Sequence, residues 1–152
     1  IEDLLHYVEK KNNESFDLVI DLDVTSPFRN VHDLSAAKEM LLSNENAVNI
    51  FSVSPASRNP YFNMVQKNAD GFFELVAGKH EYNSRQESPE VYDMNASFYI
   101  FKRSFFEKGY KTSITECSLA YVVPHLCFDL DEPHDFLFLE FLIKNNLLDF
   151  QL

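Results

Sequence analysis

The segment Phe128-Asp129-Leu130-Asp131-Glu132 carries two carboxylates two residues apart. On an extended strand both project from one face. Two converging carboxylate oxygens can hold Mg²⁺, which keeps waters and takes substrate oxygens as its other ligands. The same residues also fit a plainer arrangement, in which Asp131 caps a helix opening at Pro133 and Asp129 is solvated. His125 and His134 flank the pair and read as surface residues or as residues standing behind the ligands. Upstream, Asp21 and Asp23 share one strand face, with Asp23 near the strand's C-terminal end. Arg85, beside Gln86, offers two parallel donors that match a carboxylate, although an arginine in a polar loop is ordinarily a solvated charge. Cys117 and Cys127 are too few for a zinc site and read as reduced thiols in the core of a cytosolic protein.

These groups need elements to position them. Ile1, Leu4, Leu5 and Val8 fall at helical spacing, so residues 1–11 are expected to form an amphipathic helix. Residues 16–24 (FDLVIDLDV) have the apolar density of a buried parallel strand, broken by Thr25-Ser26-Pro27. Asn30, with Asp33 three residues on, opens the next helix, and residues 47–53 form the following strand. Strand, helix and strand make one βαβ crossover. Residues 54–90 hold Pro55, Pro60 and Pro89 and many polar side chains, and read as an arm inserted in the core, with a short strand in residues 71–77. Strands are expected again at 95–101, 118–123 and 126–130, with a helical turn at 103–108. A final helix starts at Pro133, and its almost continuous apolar run from Phe136 to Ile143 implies packing on two sides, against the sheet and a second subunit.

The 152 residues suit one α/β domain, with 1–53 and 91–152 as core and 54–90 as insertion. A hydrophobic content of 45%, with 15 Phe, supports a substantial aromatic core. The net charge of −11 repels phosphate backbones and argues against nucleic-acid binding. No apolar run reaches the length of a membrane span, so no membrane partner is expected.

Four segments in order resemble the acylneuraminate cytidylyltransferase family, which activates sialic-type (nonulosonic) acids as CMP conjugates. They are Leu22-Asp23-Val24-Thr25-Ser26-Pro27-Phe28-Arg29; Asn59-Pro60-Tyr61-Phe62-Asn63-Met64-Val65; Arg85-Gln86 with Pro89 and then Asn95-Ala96-Ser97-Phe98-Tyr99-Ile100; and Phe128-Asp129-Leu130-Asp131-Glu132 with Asp135. The family pattern at the third has Asn-Gly-Ala where this chain has Asn95-Ala96-Ser97. The likeness runs through nearly the whole chain but lacks the family's front end, the first strand and the basic glycine-containing loop that holds CTP. Only three glycines are present, and the expectation is of an upstream piece absent from this chain.

The resemblance implies a Rossmann-like nucleotidyltransferase, with a mostly parallel sheet flanked by helices and an inserted dimerisation arm at 54–90. It implies CTP and a nine-carbon 2-keto sugar acid as substrates, a homodimer and Mg²⁺ held by Asp129 and Asp131. Arg85 would take the sugar carboxylate. Asp23, Thr25, Arg29, Phe62, Gln86, Asn95 and Tyr99 would line the substrate site. Two departures bear on the sugar. Asp23 stands where many sialic-acid members have Gln, and an ionised Asp accepts hydrogen bonds but donates none. Phe62 stands where some have Lys, and an aromatic ring packs on methyl or acyl groups instead. Both favour a nonulosonic acid other than N-acetylneuraminate, such as legionaminic acid. Two alternatives remain: a silent binding or assembly module of the same fold, and an enzyme acting on 3-deoxy-manno-octulosonate.

Overall fold

The computed structural model describes residues 1–77, 82 and 84–151. Among these, the chain forms two compact units, one of Ile1–Ser54 with Met94–Leu152 and the other of Pro55–Asp93.

The first unit is an α/β layer. Helix α1 (Glu2–Asn12) carries Glu2 and Asp3 in its first turn and Lys10 and Lys11 in its last, which complements the helix dipole, and it stops where Asn13 takes a left-handed φ of 56°. Helix α2 (Val31–Ser43) opens on a capping box. The Asn30 side chain accepts from Asp33 N–H, and the Asp33 carboxylate accepts from Asn30 N–H. Ala37 and Leu41, one turn apart, are fully buried.

Four strands make the sheet: β1 (Leu18–Leu22), β2 (Asn49–Pro55), β5 (Tyr92–Lys102) and β6 (Ser118–Val122), in the order β1-β5-β2-β6. β1 pairs with β5 antiparallel, from Leu18 opposite Lys102 to Leu22 opposite Phe98. β5 descends along β2, with Lys102 N–H bonded to the Val48 carbonyl and Phe98 N–H to Ser52 Oγ. β2 pairs with β6 in parallel. The expected mostly parallel ladder is therefore corrected to a mixed sheet. β1, β2 and β6 run one way, but β5 runs against them and is inserted between the two strands of the β1-α2-β2 crossover. Apolar density reports a strand's burial and not the direction of its partner, so β1 is an edge strand among the described residues, with Ile20 46% and Leu22 43% exposed.

Alternation along β5 divides the core. Phe98 and Ile100 join Ala37, Leu41 and Ile50 on one face, and Phe101 joins Leu5, Phe105 and Phe106 on the other, where the short helix α3 (Arg103–Glu107) packs. Ala96 interrupts the alternation with a φ of 52°, and Ser97 and Phe98 are both fully buried although adjacent.

Two further expectations are corrected. Residues 126–130 form no strand. Helix α4 (Pro133–Lys144) is capped by Glu132, not Asp131, in a box with Asp135. Of α4's apolar residues only Leu142 is buried, and Phe136, Leu137, Phe141 and Ile143 are exposed, so within this chain the face expected to meet a second subunit is uncovered. No helix among the described residues is long and apolar enough to cross a membrane.

The second unit contains a small hairpin of β3 (Val65–Lys67) and β4 (Phe73–Leu75), paired antiparallel. Asn59 organises its start: the Asn59 carbonyl accepts from the N–H groups of Phe62, Asn63 and Met64, and its side-chain amide donates to Ser88 Oγ and the Pro89 carbonyl.

Candidate active site

The turn after β1 is built by its own polar groups. Asp23 Oδ1 accepts from both Thr25 N–H and Thr25 Oγ1, each at 2.8 Å. These bonds, the backbone one first, hold the Asp23 carboxyl below its ordinary range, and the charge of Arg29 adds to the effect. Arg29 Nη1 lies within hydrogen-bond reach of three carbonyls, those of Asp23 (2.9 Å), Ser26 (2.7 Å) and Ser97 (3.1 Å), so it braces the turn against β5. Asn95 is buried. Its amide donates to Ser54 Oγ, its side-chain oxygen accepts from Ser97 N–H, and its backbone carbonyl accepts from Ser26 Oγ. The sequence assigned Arg29 and Asn95 to substrate, and in this structure each has these internal partners.

The carboxylate segment lies against this turn. Leu130 N–H donates to the Thr25 carbonyl at 2.7 Å, the rings of Phe28 and Phe128 are 4.3 Å apart, and Cys127 Sγ is 3.7 Å from the Phe28 carbonyl. The Thr-Ser-Pro turn and the Asp-Leu-Asp segment, about a hundred residues apart in sequence, thus share one place in the first unit. Asp131 is exposed and its N–H is taken by Asp135, whose carboxylate also accepts from Glu132 N–H. Asp129 Oδ1 is buried and has no hydrogen-bond partner. A buried carboxylate oxygen without a donor is costly unless something else satisfies it.

That oxygen is the observation that bears on a metal. Among the described residues no three His, Cys, Asp or Glu side chains gather into a ready cage. Mg²⁺ does not require one, since it is held by one or two carboxylates and completes its shell with waters and phosphate oxygens. Asp129, with Asp131 two residues on, fits that demand.

Tyr99 lies close by. Burial raises its phenol first, and the negative charges of Asp23, Asp21 and Asp129 raise it further, so its hydroxyl stays protonated as a donor. Tyr99 and Asp21 also line a cavity of about 360 Å³ with Phe101, Phe105, Tyr110 and Lys111. Asp129 and Asp131 do not line it.

Of the two readings of His125, at the surface or behind the carboxylates, the surface one is overturned. Its side chain is 5% exposed and its Nε2 is 2.9 Å from Asp33 Oδ2, itself 1% exposed. His134 is exposed, 3.6 Å from Asp135. The sequence placed Asp33 in the first turn of the helix that Asn30 caps, but nothing local disclosed its partner 92 residues away.

In the second unit, Arg85 donates to the Ala56 carbonyl and its own carbonyl accepts from Ser88 Oγ. Arg85 and Gln86 line a polar cavity of about 360 Å³ with Ala56, Asn59, Ser88 and Glu90. Phe62 is exposed.

The chain is 38% identical over 133 residues to the post-translational flagellin modification protein B of Campylobacter coli, a match covering 88% of this chain and 55% of that protein. It is 35% identical over 144 residues to the CMP-N,N'-diacetyllegionaminic acid synthase of Campylobacter jejuni, covering 95% of this chain and 60% of the synthase. It therefore spans a little over half the length of these relatives. No protein-family model matches it.

Proposed function

We propose, from the premise that this chain belongs to the CMP-nonulosonic acid cytidylyltransferase family, that the full-length protein transfers CMP from CTP to a nonulosonic acid of the diacetyllegionaminic type. The observation that carries the reading is the contact of the Thr25 turn with Leu130, which brings the partnerless Asp129 oxygen beside the segment that resembles the family's substrate turn.

In this reaction the anomeric hydroxyl of the sugar acid attacks the α-phosphorus of CTP, the new O–P bond forms in line, and pyrophosphate leaves. Mg²⁺, when bound, supplies neutralising charge to the phosphates. Asp129 and Asp131 are the residues that would hold it. The Asp23 carboxylate is kept ionised by Thr25 and accepts hydroxyl or amide N–H groups of the sugar. Tyr99, kept protonated, donates to sugar oxygens. Arg85 pairs with the sugar carboxylate and Gln86 with a hydroxyl, a role supported by their place in the polar cavity of the second unit. Phe62 packs on an acyl methyl. Thr25, Arg29 and Asn95 shape the turn that presents Asp23. The working form is a homodimer in the cytosol, and the exposed rings of the second unit and of α4 are the surfaces it would cover.

The test is pyrophosphate release from CTP by the full-length protein with a panel of acids. Release is expected to be fastest with N,N'-diacetyllegionaminate and slower with N-acetylneuraminate or 3-deoxy-manno-octulosonate. Preference for N-acetylneuraminate defeats the sugar assignment, and no release with any acid defeats the function.

A further inference from the structure

We propose that His125 is a positioning residue that sets the place of Asp129, a role that rests on the cytidylyl-transfer reading above. The Val123 N–H bond to the Val53 carbonyl is the last along β2, and residues 124–131 belong to no strand, so no ladder of backbone bonds fixes them. Side chains and one backbone bond hold them against residues 25–33 instead. At one end is the Leu130 N–H bond to Thr25. In the middle are the Phe28–Phe128 ring contact and Cys127 Sγ against the Phe28 carbonyl. At the other end His125 Nε2 meets Asp33 Oδ2 at 2.9 Å, with both side chains almost fully buried.

The His125–Asp33 contact has a rigid base. Asp33 sits in the first turn of α2, where it also accepts from Asn30 N–H at 2.8 Å and Tyr121 hydroxyl at 3.2 Å. The imidazole is held on its other sides as well. Its Nδ1 meets the Leu126 carbonyl at 3.0 Å, and its ring stacks on Phe150 with centroids 3.7 Å apart and planes 13° from parallel. Leu126 N–H is taken by the Asp149 carboxylate at 3.2 Å. His125 thus pins the start of the segment as Thr25 pins its end. Asp129 hangs between the two, and its buried oxygen has no other bond to correct its aim. A displacement of about 1 Å at a reacting group can cost on the order of 100-fold in rate, so slack at position 125 reaches the chemistry without His125 touching a substrate.

The experiment uses the full-length protein and two readouts, amide hydrogen exchange by NMR and binding of Mn²⁺ as a Mg²⁺ stand-in followed by its paramagnetic signal. In His125→Ala the Leu130 amide is expected to lose roughly 10-fold in protection while core amides such as Ile100 keep theirs, since local opening is read separately from global unfolding. Mn²⁺ affinity is expected to fall about 10-fold, the low end of what groups orienting metal ligands are worth. Free imidazole is expected to restore part of both. Phe150→Leu keeps the imidazole but removes the stacked ring, and should shift both readouts in the same direction by less, which decides the matter if His125→Ala does not fold. Loss of protection spread evenly over all amides, or an unchanged Leu130 amide with unchanged Mn²⁺ affinity, overturns the proposal. If the wild-type protein releases no pyrophosphate the functional reading falls, while the Leu130 amide still decides whether His125 positions the segment.

Discussion

Replacing Arg29 with alanine separates bracing from substrate binding. Arg29 Nη1 faces three carbonyls, but one guanidinium nitrogen carries two hydrogens, so two full bonds are the most it makes at once. Hydrogen bonds to a charged group contribute about 1.5–3 kcal/mol each. The Ser26 carbonyl also accepts from Ser97 Oγ and the Ser97 carbonyl from Asp23 N–H, and Asp23 is only half-buried, so no buried carbonyl is left without a donor and the lower figure applies. Two such bonds give about 3 kcal/mol for Arg29→Ala. For a chain of this size that corresponds to a fall in Tm of roughly 6–12 °C. The assay is urea unfolding followed by tyrosine fluorescence, which the 7 Tyr and absence of Trp make clean. The midpoint should drop with an unchanged slope. Arg29→Lys should lose less, because the ammonium keeps a charge but not the planar fork. A variant that melts like the wild type and shows only a raised KM for the sugar acid would refute the bracing argument and return Arg29 to the substrate.

Ala96→Gly is expected to stabilise the protein by about 0.5–1 kcal/mol, because the left-handed φ of 52° costs an L-residue about 1–2 kcal/mol and glycine's extra chain entropy returns only part of it. A lower melting temperature would mean that the Ala96 methyl matters more than its backbone strain. Asp33→Ala should cost about 3 kcal/mol, well beyond the roughly 1 kcal/mol of Asn30→Ala, since it also strands the Tyr121 hydroxyl and His125. Equal losses would reduce Asp33 to a helix cap. Burial pushes the Cys127 thiol up to about 11. A raised folded value favours the protonated form, so this stability is present below the free thiol's range and is lost as pH rises from about 9 through 11. At pH 8 roughly one Cys127 in a thousand is thiolate, so iodoacetamide followed by mass spectrometry should leave it largely unmodified, and rapid labelling in the native protein would contradict the burial.

Local chemistry was legible in the sequence where local bonds decide it. Asn30 caps the second helix with Asp33 in its first turn, as expected, and Pro133 opens the last helix. The cap there is Glu132 because Asp135 lies three residues from it, at the reach a box requires, and four from Asp131. What failed depends on partners far along the chain. Residues 126–130 are largely apolar like a buried strand, yet the Leu126 and Leu130 N–H groups go to the Asp149 carboxylate and the Thr25 carbonyl, and no ladder forms. The strand directions could not be read because β5, which starts at Tyr92, far downstream of the end of β2 at Pro55, enters the crossover. His125 looked exposed because a histidine between Pro124 and Leu126 gives no local sign of the buried carboxylate that receives it. The resemblance nevertheless selected the Thr25 turn and the Asp129 segment as parts of one site, and the Leu130–Thr25 bond joins them. The glycine in the family pattern at position 96 also acquires a reason, because that residue has a positive φ here.

The claim on which the rest depends is that Asp129 and Asp131 serve the reaction. Pyrophosphate release from CTP and the sugar acid, measured for the full-length protein and for its Asp129→Asn and Asp131→Ala variants at matched Mg²⁺, tests it most directly. A metal-holding carboxylate is worth several kcal/mol of transition-state stabilisation, so each variant is expected to be at least about 100-fold slower while melting near the wild-type temperature. Folded variants that turn over at the wild-type rate would contradict it.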